Sequence, residues 1–194
     1  MPSPFDYMRP DDLKKASEEA IKKMGDYIVP KPESKTQNET IIYAPHPDDE
    51  IIGCYEILQD PSISPIIIYH PDSSQDRKEE ALKLKDHSNV KIQLFMHSIP
   101  TDLIDPTNKY FFPHPIYELN PTHREKGNVG EALLRSGYDV TFYSTEMNCP
   151  FKYECKTSDK KRELLNLIYP SQMDLWRYDY KYWLFSAYDK WIII

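Results

Sequence analysis

The chain lacks what several protein classes require. Its three cysteines, Cys54, Cys149 and Cys155, supply neither an even disulfide framework nor a Cys-x-x-Cys zinc signature, so a reducing, cytoplasmic setting is expected. Cys149 and Cys155 are close enough in sequence to pair only if their loop folds back. Basic residues are also in deficit: 24 Lys and Arg against 31 Asp and Glu leave a net charge of −7. Phosphate neutralisation demands clustered cations, so this balance argues against nucleic acid and against anionic membranes, and points to a small or neutral partner. No apolar run is long enough to span a bilayer, and Met1–Asp6 has neither the basic start nor the apolar stretch of a secretory signal. Internal repeats and low-complexity tracts are absent as well.

What is present is a core-forming sequence of 194 residues, 40% hydrophobic, enough for one sizeable domain and too short for two. Residues 1–36 read as a lead-in, with Leu13, Ala16, Ala20, Ile21 and Met24 at helical spacing ahead of the proline-containing linker Val29–Glu33. Residues 37–175 read as the core. Strand-like runs recur at 39–44, 65–70, 91–96 and 139–144, with helical patterns around 51–58, 74–86 and 129–136 between them. Such alternation predicts βαβ units, hence an α/β, Rossmann-like three-layer sandwich with a mostly parallel sheet. The stretch from Asn108 to Pro121 is aromatic and proline-rich and reads as a long pocket loop. Residues 176–194 are crowded with Tyr and Trp, suited to a core, to a subunit interface in a homo-oligomer, or to stacking against a sugar. Ile192, Ile193 and Ile194 should be covered by the body or a neighbouring subunit.

The chemistry concentrates in Ala44-Pro45-His46-Pro47-Asp48-Asp49-Glu50, at the junction of the first strand and its helix. In an open parallel sheet such turns lie at the carboxyl ends of strands, where ligands bind. His46 and Asp49 offer one nitrogen and one oxygen to a borderline-soft divalent cation such as zinc, whose catalytic sites usually have three protein ligands and an open position. Asp48, between them, is placed to take a proton from a water activated there. Glu50 is suited to orienting a ligand or to the positive end of the helix.

This string resembles the signature Ala-His-Pro-Asp-Asp-Glu of the LmbE/PIG-L-like zinc-dependent N-acetylglucosaminyl deacetylases, with Pro45 ahead of the histidine as a departure. Asp76-Arg77-Lys78-Glu79-Glu80-Ala81 is similar to that family's Arg-x-x-Glu-Ala helix. Asn120-Pro121-Thr122-His123 resembles its His-Pro-Asp-His segment, and Lys161 to Gln172 resembles its late helix and Ser-Gln pair. The resemblance implies a hydrolase that removes an N-acyl group from a small-molecule or glycoconjugate substrate of the N-acetylglucosamine type by attack of a zinc-bound water. It implies His123 as the third ligand beside His46 and Asp49, Arg77 as a substrate anchor, and Asp48 as the base.

Two positions depart from the family. Asn120 stands where many relatives carry a second histidine, and Thr122 where they carry its aspartate partner. An amide cannot deliver a proton but can donate a hydrogen bond to an oxyanion, so Asn120 is assigned that part and Asp48 both proton transfers. His114 is the first substitute for the missing histidine and a substrate-binding candidate, and His97 is the second. Another divalent metal in place of zinc, a metal-dependent phosphoesterase, and a non-catalytic binding protein that kept the fold remain open alternatives.

Overall fold

The computed structural model describes residues 38–63, 65–146, 153–155, 157–172, 188–189 and 191–193. The lead-in helix, Cys149 and most of the aromatic C-terminal segment lie outside them.

Strands β1 (Thr40–Tyr43) and β2 (Ile66–Tyr69) are four-residue runs of β-branched and aromatic side chains, buried throughout. A strand buried on both faces needs no polar alternation, and both form the interior of a parallel sheet. With β3 (Ile92–Phe95), β4 (Lys109–Pro113) and β5 (Asp139–Tyr143) they give five parallel strands in the order β3-β2-β1-β4-β5. Register is direct, Thr40 opposite Ile66 and Tyr43 opposite Tyr69. The strand β6 (Tyr153–Glu154) pairs with β7 (Tyr188–Asp189) in a separate two-stranded ribbon, and a short strand, β8 (Trp191–Ile193), pairs antiparallel with β5 at the edge of the main sheet. Ile192 and Ile193 thus lie in an edge strand, and Ile194 falls outside the described residues.

Helices cover both faces. On one, α1 (Asp49–Gln59) and α5 (Ser158–Ile168) pack together and join Ile42, Ile66, Ile68, Phe111 and Tyr143 in one core through Ile51, Tyr55, Leu58, Leu164, Leu165 and Ile168. Each fully buried Ile or Leu of this set contributes about 1.5–3 kcal/mol. The short helices α2 (Gln75–Leu82) and α3 (Leu84–His87) add Ala81 and Leu84 to it. On the other face α4 (Pro121–Arg135) lies over β4 and β5, where a Cβ on Gly130 would come within 2.7 Å of Phe112. Gly53 plays the same part under α1: a Cβ there would collide with the ring of Tyr143, whose hydroxyl donates to the carbonyl of Tyr43 at 2.8 Å. That contact ties α1 and β5 to the end of β1.

The structure corrects the reading of Asn108–Pro121 as a pocket loop. Its first part is β4, a central strand hydrogen-bonded to β1 on one side and β5 on the other. Tyr110, Phe111 and Phe112 are all buried, so the strand shows no alternation, and the surrounding prolines disguised it.

The strand order places the site. From β1 the chain moves outward to β2 and β3, then returns across β1 to β4 and β5, so the direction of winding reverses between β1 and β4. A crevice opens at the carboxyl ends of such a pair. Residues 44–49 follow β1, and the segment leading into α4 follows β4.

Candidate metal centre

His46 lies in the turn between β1 and α1, Asp49 opens α1, and His123 lies in the first turn of α4. Asn120 caps α4, its side-chain oxygen accepting from Thr122 N at 2.9 Å, and Pro121 occupies the first helical turn, where its missing N–H costs nothing. This capped start fixes the position of His123 two residues on.

The three side chains converge. His46 Nδ1 is 3.0 Å from His123 Nε2, and Asp49 Oδ2 lies 3.4 Å from the former and 3.1 Å from the latter. A tetrahedral zinc site with bonds of about 2.0–2.1 Å has ligand-to-ligand edges of about 3.3–3.4 Å, so three electron-pair donors stand at nearly the separation a small divalent cation requires. Asp49 Oδ2 also accepts from the backbone N–H of His46 at 2.8 Å. Burial opposes charge on both Asp49 and His123, but each offsets it in the other: the histidines hold the Asp49 carboxyl well below the usual range, while Asp49 and Glu118 push the His123 imidazole up to about 11 in the absence of metal. Among the described residues, this His-Asp-His set is the group whose ligand atoms converge in the manner of a metal site.

Asp48 sits beside the set in a backbone conformation of φ +116°, ψ −30°, in the left-handed region that favours glycine. Its conformation is held from three sides. Its N–H donates to Glu50 Oε2 at 3.0 Å, its carbonyl accepts from the N–H groups of Ile51 and Ile52, and its Oδ1 accepts from Arg77 Nη2 at 2.5 Å. Burial and the neighbouring Asp49 raise its pKa well above the ordinary value, against the opposing pull of Arg77.

Arg77, expected as a substrate anchor, is engaged with the turn itself, donating to the carbonyl of Pro47 as well as to Asp48. The other resembling segments meet here too. Tyr169 donates its hydroxyl to Glu50 Oε1, and Ser171 donates through both N–H and Oγ to Glu80. His70, at the end of β2, hydrogen-bonds the carbonyl of Ala44 through Nδ1, and its Nε2 faces Glu50 Oε2 at 3.7 Å; burial lowers its pKa. Sequence reasoning gave His70 no part in the site because nothing in its local pattern marks it.

His114 directly follows β4 and is not among the three converging side chains. Its Nδ1 accepts from the N–H groups of Ile116 and Tyr117, which folds the loop after β4, and burial depresses its pKa to about 4. Its ring lies against Tyr117 and Phe142. His97 is exposed, bonded to its neighbour's carbonyl at Ser98 O and packed beside Tyr69 and Phe95. A cavity of about 530 Å³ opens beside the last turn of α1, Lys109 and Thr141; none of the expected site residues lines it.

Fold and site together define an α/β protein of Rossmann-like three-layer type with a His-Asp-His cluster that could hold a metal ion at the switch point of its sheet. Among solved structures it is similar to the conserved protein TT1542 from Thermus thermophilus, with a TM-score of 0.50 and 14% identity over 80% of this chain and 94% of that one, a likeness of fold. Lysine–tRNA ligase 2 of Methanosarcina mazei is 34% identical over 97 residues, 48% of this chain and 19% of the ligase. The same enzyme of Methanosarcina acetivorans is 33% identical over 97 residues, with the same shares. The matched stretch thus spans about a fifth of the length of these curated relatives. No protein-family profile matches the sequence.

Proposed function

We propose that this chain is a metal-dependent N-deacetylase of the LmbE/PIG-L-like kind, cleaving the acetyl group from an N-acetylglucosamine-type substrate, with zinc as the first choice of metal. The observation that carries the reading is the convergence of His46, Asp49 and His123, with the buried Asp48 carboxyl held beside them by Arg77. His46, Asp49 and His123 would hold the cation, whose chemistry there is to polarise an acyl carbonyl and acidify a water.

The chain's own groups supply the rest. Asp48 takes the proton of the water that adds to the amide carbon, and returns a proton to the nitrogen as the C–N bond breaks, leaving acetate and a free amine. Burial and the neighbouring Asp49 raise the pKa of this carboxyl, the direction that helps it to hold and return a proton. Arg77 keeps Asp48 oriented, and Glu50, bound by Tyr169, keeps the strained Asp48 N–H satisfied. With its oxygen committed to the helix cap, Asn120 retains its amide N–H groups as donors for an oxyanion. The net charge of −7 favours a neutral sugar over a polyphosphate or tRNA.

The test is release of amine and of phosphate from matched panels of N-acetylated amino sugars and sugar phosphates, by wild type and Asp48→Asn. The proposal expects amine release from an N-acetylglucosamine compound, falling by about 10²–10⁴-fold in Asp48→Asn with metal retained. Phosphate release instead would favour the phosphoesterase, and neither product from the metal-loaded wild type would favour a binding protein.

A further inference from the structure

We infer that Glu118 is a positioning residue of the metal centre: its carboxylate holds His123 in the tautomer that leaves Nε2 bare toward His46 and Asp49, and thereby sets the affinity for a divalent cation. The inference rests on the ligand set of the proposed function and is independent of its substrate.

Glu118 lies between β4 and α4 with its side chain fully buried. A carboxylate is acceptor-only, and this one meets three donors. Oε1 accepts from Thr145 N at 2.7 Å, while Oε2 accepts from Thr145 Oγ at 2.8 Å and from His123 Nδ1 at 2.9 Å. Thr145 follows β5, so Glu118 links the end of that strand to the first turn of α4. The loop backbone is pinned beside it, Leu119 N donating to Glu146 Oε1 at 3.2 Å. With Nδ1–H directed at Glu118, the lone pair of a neutral His123 must lie on Nε2, the atom 3.0 Å from His46 and 3.1 Å from Asp49. Carboxylate partners of ligating histidines act in this way generally, and losing one typically costs about 10–100-fold in metal affinity.

Glu118→Gln preserves the shape and inverts the logic. Whichever way the amide turns, its NH₂ faces either Thr145 N–H or His123 Nδ1, so a donor meets a donor or His123 is driven to the tautomer with a protonated Nε2. Zinc affinity is measured by competition with a chelator, and far-ultraviolet circular dichroism checks folding. Tyr110→Phe, which removes a buried hydroxyl hydrogen-bonded to Asp105, serves as a control that loses stability away from the centre. Glu118→Gln is expected to bind zinc about 10–100-fold more weakly while Tyr110→Phe binds as wild type. Folded Glu118→Gln with wild-type affinity would overturn the inference.

Should Glu118→Gln not fold, histidine ¹⁵N–¹H correlation spectra of the zinc-loaded wild type decide it. A protonated Nδ1 and metal-shifted Nε2 on His123 are expected, and the reverse pattern overturns the assignment. Neither readout uses turnover. A zinc-binding protein that releases no amine would sink the deacetylase reading and leave Glu118 in place, whereas active enzyme with unaltered zinc affinity in Glu118→Gln would do the opposite. A wild type that binds no divalent cation overturns both.

Discussion

Arg77 reaches back from the first turn of α2 to the turn before α1 and places its Nη2 2.5 Å from Asp48 Oδ1. It therefore holds the residue whose backbone is strained, at φ +116°, a conformation that costs a non-glycine residue on the order of 1–3 kcal/mol and persists only where the surroundings enforce it.

Removing the guanidinium should displace the pH profile. Burial and Asp49 raise the Asp48 pKa and Arg77 opposes them, so Arg77→Met raises it further. A base that must be ionised is then lost at higher pH, and the acid limb of kcat/KM moves upward, with a smaller move in Arg77→Lys, which keeps the charge. A limb in the same place in both variants would show that Arg77 does not tune the base.

Asn120 carries two separable parts. Its oxygen caps α4, and loss of a cap costs about 0.5–2 kcal/mol, so Asn120→Ala should lower stability and turnover together. Aspartate caps as well as asparagine but has no donor, so Asn120→Asp should keep the melting temperature and still lose about 10²–10³-fold in kcat. Unchanged turnover in Asn120→Asp would reduce Asn120 to a cap.

Metal uptake should release a proton. In the metal-free protein His123 is protonated up to about 11, above its ordinary 6.5, because the attraction of Asp49 and Glu118 exceeds the opposing effect of burial. Its stabilising effect is complete below about 6.5 and is lost as pH rises through about 11, so the metal-free protein should weaken across that window and the loaded protein less so. Calorimetric titration at pH 7 in buffers of different ionisation enthalpy should show close to one proton released per ion. A binding heat that is independent of buffer would contradict a protonated His123.

The sequence disclosed the parts of this account that are local or periodic. Runs of Ile ending in Tyr marked β1 and β2, and the compact string from Ala44 to Glu50 marked a strand-to-helix turn with two candidate ligands. His123 was reached through a resembling segment, and the structure brings it within 3.1 Å of Asp49 across 74 residues. β4 was hidden because a central strand buried on both faces has no alternation and because prolines crowd it. The parts played by Glu118, Glu80 and His70 escaped notice for another reason. Their partners, His123 and Thr145 for the first, Ser171 for the second, Ala44 for the third, are set by strand order, and no short-range pattern encodes that.

We propose that His46, Asp49 and His123 form one metal centre at the switch point of the sheet. It is tested most directly by elemental analysis of wild type, His46→Ala, Asp49→Ala and His123→Ala after dialysis against zinc and removal of the excess. One ion per chain in the wild type and substoichiometric content in all three folded variants is the predicted result; full occupancy in His123→Ala, or none in the wild type, would contradict it.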